Sequence, residues 1–450
     1  MLAAPGGDCG KTFIAIGLAA AWRRRGIPIA PFKKGPDYID AAWLTLAAGV
    51  AARNLDTWMA RPSAVLRSFL QHAAPDGISL VEGNRGIYDG EDAAGSHSSA
   101  ELAKLLKTPV ILIISAVKVT RTAAAVVLGL KMMDAQVNIA GVILNRVANS
   151  RQEEIIRKSI ENDVGLPVIG AIPRVEGELI SSRHLGLVTP EEHLKSRNII
   201  NSAAQIISKF IDLDRLKQIS ETASPLEISP DNIPPDQTVP SGLRIGYFQS
   251  PAFTFYYPEN LEAISGSGAT LIPIDPLRDR ELPELNALYI GGGFPETHAS
   301  LLAANFGFLT SVAEAADKGL PIWAECGGLI FLCRSVIWNG IRYPMAGVFP
   351  ADIVLDRKPA GHGYEEILVD QPNPFIKTGA VLRGHEFHYS RLETTTMLKT
   401  AFKVTRGAGL GNGRDGLIHK QTVASYLHIH ALGAPEWATG LVAAAKKYKS

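Results

Sequence analysis

Two α/β domains in series are the architecture that this 450-residue chain predicts. Three observations lead there. Short apolar runs alternate with segments of helical length, the rhythm of a parallel sheet covered by helices on both faces. A glycine-rich loop ending in Gly10-Lys11-Thr12 runs straight into a helical stretch. A segment with five prolines, Ser224 to Gly242, interrupts the rhythm, which then restarts. A chain of this length also exceeds the usual limit of a single core, about 250 to 300 residues.

Residues 13–22 predict an apolar helix closed by Arg23 to Arg25 and Gly26, as cations and glycine close helices. Strands are predicted at Pro28 to Phe32, Ile78 to Val81, Val110 to Ile114, Ile139 to Leu144 and Val168 to Ala171. Only Met1 to Ala4 precede the glycine loop, fewer than the five or six residues of an ordinary strand, so the chain is expected to begin further upstream. Glu191 to about Leu216 reads as one amphipathic helix, and the proline-rich stretch after it as a linker. Second-domain strands are predicted at Leu243 to Phe248, Thr270 to Ile274, Ala287 to Ile290 and Ile322 to Ala324. The expected division is therefore 1–190, a helical and linker segment 191–242, and 243–440.

Composition narrows the function. Forty-five basic residues nearly cancel 44 acidic ones, so no global field calls for nucleic acid or an anionic membrane. The longest apolar runs, such as Pro109 to Val117, are about half a membrane span, and no signal pattern opens the chain, so a cytoplasmic protein is expected. Cys9, Cys326 and Cys333 form neither a disulfide framework nor a zinc pattern.

Pro5-Gly6-Gly7-Asp8-Cys9-Gly10-Lys11-Thr12 suits phosphate binding: backbone amides at a helix start, the Lys11 charge, and a Thr12 hydroxyl for Mg2+. Asp8 must point to solvent or a metal, and Cys9 reads as a small filler. After the second strand, Phe32 to Asp40 places Asp37 and Asp40 three residues apart; after the next, Glu82 and Asp89 stand seven apart in a glycine-punctuated loop. Acids at strand exits beside a phosphate loop can hold Mg2+ and position a phosphoryl acceptor, whereas Asp40 alone is equally an ordinary turn residue. Lys33, Lys34, Arg85, Lys118, Arg121 and Arg146 also fall near strand ends, each read singly as a solvated charge.

In the second half, an apolar strand runs into Glu325-Cys326-Gly327-Gly328, a sharp turn that would expose the Cys326 thiol at a helix N-terminus favouring thiolate. Cys333, seven residues on in the same helix, reads as a buried structural thiol. A base is offered by Tyr426-Leu427-His428-Ile429-His430, where strand alternation would put Tyr426, His428 and His430 on one face, with His430 the lesser candidate and a surface residue otherwise. The amides of Gly291-Gly292-Gly293, with Gly327 beside the cysteine, could stabilise an oxyanion. His385 and His388, three apart, are read as structural or substrate-contacting rather than as a zinc site.

Taken in order, the phosphate loop, FKKGPDYID (32–40), RNLDTWM (53–59), EGNRGIYDG (82–90), AGVILNRV (140–147), GGGFPE (291–296), AECGGL (324–329), GHEFHYS (384–390) and ASYLHIH (424–430) resemble the cobyrinic acid a,c-diamide synthase family over nearly the whole chain. The resemblance implies a dethiobiotin-synthetase-like ATPase domain fused to a class I type glutamine amidotransferase domain. It implies that glutamine, ATP and Mg2+ convert two carboxylates of a tetrapyrrole to carboxamides. By matching position it makes Asp37, Asp40, Glu82 and Asp89 active-site acids, Tyr38 and Ile39 substrate-side neighbours, Cys326 the nucleophile and His428 its base. Class I amidotransferases ordinarily carry Glu two residues after the base; here His430 stands there, so a Cys–His dyad is expected. The expected partners are a small-molecule tetrapyrrole and a second copy of the chain, with no nucleic acid or membrane. Rival readings are a nickel-sirohydrochlorin a,c-diamide synthase, a cobyric acid synthase, and a ParA-like switch ATPase carrying an inert amidotransferase-like domain.

Overall fold

The computed structural model describes residues 1–175, 182–183, 186–190, 192–193, 195–226 and 241–449. Most of the proline-rich linker expectation, residues 227–240, lies outside them. The chain forms two compact units, Met1–Trp58 with Pro62–Ile233, and Met59–Arg61 with Pro234–Ser450.

The first unit holds seven strands: β1 (Leu2–Ala3), β2 (Ile29–Lys34), β3 (Arg53–Leu55), β4 (Ile78–Glu82), β5 (Val110–Ser115), β6 (Ile139–Val147) and β7 (Val168–Pro173). They form one parallel sheet in the order β3-β2-β4-β1-β5-β6-β7. All carboxyl ends therefore share one edge, and β1, β2 and β4 bring the phosphate loop, Gly35 to Asp40 and Glu82 to Asp89 there together. That is where open α/β sheets collect ligands. The short β1 lies mid-sheet, supported on both sides by β4 and β5. Sequence reading missed β3, which has three residues and no apolar run.

The amphipathic stretch is two helices, Ser196–Phe210 and Leu213–Ser220, separated where the Asp212 side chain caps the second by accepting from the Arg215 amide at 2.9 Å. The first packs on Lys11–Arg24 at Gly17, where a Cβ would meet Ile207 Cγ1 at 2.3 Å and the Ala203 carbonyl at 3.0 Å. Only glycine permits that approach.

In the second unit the predicted strands Arg244–Phe248, Thr270–Ile274, Ala287–Ile290 and Ile322–Glu325 are parallel and are joined by Thr422–Ser425. Beyond Thr422–Ser425 the same ten-stranded sheet continues antiparallel through Arg414–His419, Thr400–Arg406, Gly361–Val369, Val381–His388 and His428–Ile429. One core gathers Phe248, Phe253, Phe308 and Phe331; another gathers Tyr289, Trp323, Phe375 and Trp437. Among the described residues no single helix is long and apolar enough to cross a membrane.

Candidate active sites

In the first unit Gly10 takes a left-handed φ of 89° and caps Lys11–Arg24. A Cβ on it would meet Asn145 Nδ2 at 2.3 Å; that amide donates to the Cys9 carbonyl at 2.9 Å, so Asn145 holds the loop's closing turn. Asp8 is exposed at φ 53°, as an acid in a phosphate loop must be. The Lys11 ammonium donates to the carbonyls of Gly6 at 3.0 Å and Arg85 at 2.7 Å, which tethers the loop to the segment after β4. Burial, then the nearby Lys33 charge, lowers its pKa from the ordinary value.

Thr12, Asp40 and Glu82 converge. The Thr12 hydroxyl donates to Glu82 Oε1 at 2.7 Å and to Asp40 Oδ2 at 3.3 Å. Lys33, read from sequence as a solvated charge, is 2% exposed and lies between the same acids, 2.5 Å from Asp40 Oδ2 and 2.9 Å from Glu82 Oε1. The error has a physical reason: β2 is a central strand, so the final residues of its run remain inside the sheet. Burial opposes the Lys33 ammonium, but Asp40 and Glu82 outweigh it and hold its pKa above the ordinary value. Burial, with Asp40 adding, pushes Glu82 up to about 7. Glu82 Oε2 is buried and has no hydrogen-bond partner among the described residues.

These oxygen donors fit Mg2+, a hard cation that takes one or two carboxylates and otherwise water and phosphate. Among the described residues no group of three or more His, Cys, Asp or Glu could hold a metal without such help. Asp37 instead caps the helix Tyr38–Ala48, accepting from the Asp40 amide at 2.8 Å, and burial raises it to about 6. Tyr38 and Ile39 are buried in that helix's first turn. Asp89 is exposed, and its Oδ2 accepts from the Gly86 amide at 2.8 Å.

In the second unit Cys326 follows the strand Ile322–Glu325 at φ 46°, ψ −95°, a conformation costly for any side chain and typical of a nucleophile set on a tight turn. The turn is pinned by the Cys326 amide, which donates to the Ser425 carbonyl at 2.7 Å. The helix beyond is only Gly327–Leu332, so Cys333 opens a strand instead of sharing the helix; it is fully buried, as expected of a structural thiol. The expected thiolate is corrected: burial, then the Glu296 carboxylate, pushes the Cys326 thiol well up, with the Gly327 amide opposing.

Gly291 to Gly293 lie against both partners. A Cβ on Gly292 would meet His428 Cε1 at 2.4 Å and Nε2 at 3.3 Å, and one on Gly327 would meet the Gly293 amide nitrogen at 2.9 Å. The Gly291 amide donates to the Tyr256 hydroxyl at 2.8 Å and the Gly292 amide to the Phe255 carbonyl at 3.3 Å. Of the three amides offered by sequence, Gly293 is the one the geometry leaves beside Gly327.

Residues 424–430 are not one strand. Thr422–Ser425 ends in a bend at Tyr426, and His428–Ile429 pairs instead with Val381–His388. Tyr426 thereby turns away, stacking on His388 at 3.6 Å and bonding to Ser390 Oγ at 2.8 Å. His430 is not a surface residue: it is 2% exposed, against Tyr257 at 4.4 Å between rings and Glu259 at 3.7 Å. His385, from the motif read as structural or substrate-contacting, stacks on His428 at 4.8 Å. Sequence reading gave Glu325 no part, yet it is fully buried with Oε2 3.5 Å from His428 Nδ1. Its signal was a lone charge closing an apolar strand.

Residues 1–185 match the CobQ/CobB/MinD/ParA nucleotide binding domain, and residues 244–436 the CobB/CobQ-like glutamine amidotransferase domain. A cobyrinate a,c-diamide synthase of Magnetococcus marinus is 43% identical over 95% of this chain and 93% of its own. Enzymes of the same name from Archaeoglobus fulgidus and Salmonella typhimurium are each 36% identical, covering 100% and 99% of this chain and 98% of their own. A solved glutamine amidotransferase structure aligns with 45% of this chain and 98% of its own at a TM-score of 0.34 and 18% identity, too distant to add to the argument. The phosphate loop with its buried Glu82 and the strained Cys326 turn thus lie in matched domains, and the chain belongs to the cobyrinate a,c-diamide synthase family, as a glutamine-hydrolysing amide ligase.

Proposed function

We propose that the chain amidates the a and c side-chain carboxylates of cobyrinic acid, using ATP and glutamine, through acyl phosphate intermediates. The observation that carries this reading is the presence on one chain of a phosphate loop whose Thr12 bonds to Glu82, and of a strained Cys326 turn whose Gly327 abuts a glycine loop that also packs on His428. The names of relatives similar over the whole chain supply the substrate.

A carboxylate resists amidation because its oxygen is a poor leaving group. Amides at Gly10 and the charges of Lys11 and Lys33 position the ATP phosphates, and the γ-phosphoryl passes in line to a ring carboxylate oxygen as ADP departs. Thr12 and Glu82, with Asp89 completing the set, would hold Mg2+, which neutralises phosphate charge during that transfer. Asp37 and Asp40 fix the loop that faces the acceptor, beside Tyr38 and Ile39. In the second unit Cys326 attacks the glutamine side-chain carbonyl, His428 takes the thiol proton and returns it to the leaving ammonia, Gly293 with Gly327 faces the oxyanion, and water hydrolyses the remaining thioester to glutamate and the free thiol. Ammonia then displaces phosphate from the acyl phosphate, giving the carboxamide.

The test is mass detection of product with cobyrinic acid or nickel sirohydrochlorin, ATP, and glutamine or ammonium, in wild type and Cys326→Ala. Mass changes for one and then two amidations of cobyrinic acid, with only the glutamine-driven reaction lost in Cys326→Ala, support the reading. ATP hydrolysis indifferent to substrate, with no amide formed, would reject it; amidation of the nickel substrate alone would reject the named substrate.

A further inference from the structure

A base that accepts a proton at one imidazole nitrogen gains from a carboxylate at the other, which fixes the ring and stabilises the imidazolium. The position two residues after His428 supplies none, because it is His430, turned toward Tyr257 and Glu259. From the contact of its Oε2 with His428 Nδ1, we infer that Glu325, the residue immediately before the nucleophile, is the positioning carboxylate of the glutaminase base. The inference rests on the reading of Cys326 and His428 as nucleophile and base.

Four observations support it. The Nδ1 edge of His428 is 3.5 Å from Glu325 Oε2, while Nε2 and Cε1 face the glycine loop that also touches Gly327. The ring is thus held with one nitrogen against the glycine loop and the other toward the acid. At 3.5 Å the contact is an ion-pair separation, of the kind that shortens into a hydrogen bond when the imidazole becomes charged. Glu325 is fully buried, and its other oxygen accepts from the Trp323 indole N–H at 2.9 Å, so its aim is fixed. A carboxylate so deep in protein needs partners, and His428 Nδ1 lies within ion-pair distance of it. Finally, acid, nucleophile and base share one support: Glu325 pairs with Ser425, whose carbonyl accepts from the Cys326 amide, three residues before His428.

Tyr289, which bonds to Glu325, and Tyr256 also face the carboxylate, and burial holds both phenols above their ordinary pKa. His385 covers one face of His428, bonds to the Tyr257 hydroxyl at 3.2 Å, and is held well below its ordinary pKa by burial and by His428, His362 and His430. The Cys326 thiol is faced by Glu296, Glu325 and Asp415. In the reaction the thiol proton moves to Nε2 as the S–C bond forms, and from Nε2 to nitrogen as the C–N bond breaks.

Glu325→Gln keeps the shape and the acceptor for Trp323 while removing the charge. Glutaminase kcat should fall on the order of 100-fold, as when a base loses its orienting acid, with KM changed less than about threefold. The acidic limb of the kcat–pH profile should move down by about one unit, because the imidazolium loses its counter-charge and the base is neutral at lower pH. A kcat within threefold of wild type overturns the inference, and so does a fall in kcat with the limb unmoved, which would mark a merely structural role. Should the variant not fold, 15N spectra of imidazole-labelled wild type against His428→Gln decide: a His428 protonated on Nδ1 is expected, and protonation on Nε2 alone overturns. Cys326→Ala, run alongside, separates the two readings. Glutaminase activity surviving there rejects the nucleophile itself, whereas its loss there with a normal Glu325→Gln rejects Glu325 alone.

Discussion

Adding one methyl group at Gly292 measures how tightly the glycine loop holds the base. Gly292 is not in the left-handed region, so Gly292→Ala brings no backbone strain of that kind, only bulk. The new Cβ would lie 2.4 Å from His428 Cε1, roughly 1 Å inside the ~3.5 Å of a relaxed carbon contact. His428 has little room to retreat: it is 2% exposed and stacked on His385 at 4.8 Å. Either the ring or the loop therefore shifts by about 1 Å, and a displacement of that size costs about 100-fold in rate when it misplaces a reacting group. Overpacking should cost about 1–3 kcal/mol of stability besides. The assay is glutaminase kcat beside ammonium-driven amidation and a melting curve. A large loss confined to the glutamine-driven reaction is expected; a glutaminase kcat within threefold of wild type, in a folded protein, would refute the close packing of loop on base.

Lys11→Ala should fail with ammonium as well as glutamine, since Lys11 serves phosphoryl transfer rather than nitrogen supply; near-normal ATP-dependent amidation from ammonium would dismiss this loop as the nucleotide site. Lys33→Met removes the cation between Asp40 and Glu82, so calorimetry should record a loss of about 3–5 kcal/mol, the cost of orphaning buried charge. That loss should be smaller at pH 6 than at pH 8, because Glu82, raised to about 7, escapes part of it by protonation; a pH-independent loss would contradict this. Asp415 is fully buried and raised to about 7, chiefly by burial, above its unfolded value. An acid shifted in that direction contributes stability at low pH that is lost as pH rises through 7. The stability advantage of wild type over Asp415→Asn should therefore shrink between pH 4 and pH 8, and a constant difference in melting temperature would refute it.

Periodicity, glycine placement and charge were sufficient for the sheet of the first unit apart from the short β3, because buried parallel strands are otherwise continuous apolar runs and the residues at their exits must meet on one edge. Thr12 and Glu82 were legible for that reason, as was Cys326, whose strand, glycines and helix follow one another locally. The remainder depends on contacts between distant segments. Lys33 looked solvated until a neighbouring strand on each side enclosed it. Tyr426, His428 and His430 seemed to share a face until the bend at Tyr426 broke the alternation and sent each ring to a different partner. The thiolate expected at Cys326 gave way because a six-residue helix cannot offset full desolvation, to which the nearby carboxylates of Glu296, Glu325 and Asp415 add. Glu325 carried one signal in the sequence, its charge; only the tertiary structure decided that it faces His428, 103 residues away in the chain. Local pattern fixes which residues are buried and which end a strand. Which buried charges meet is set by sheet order and strand pairing, and those are properties of the folded chain as a whole.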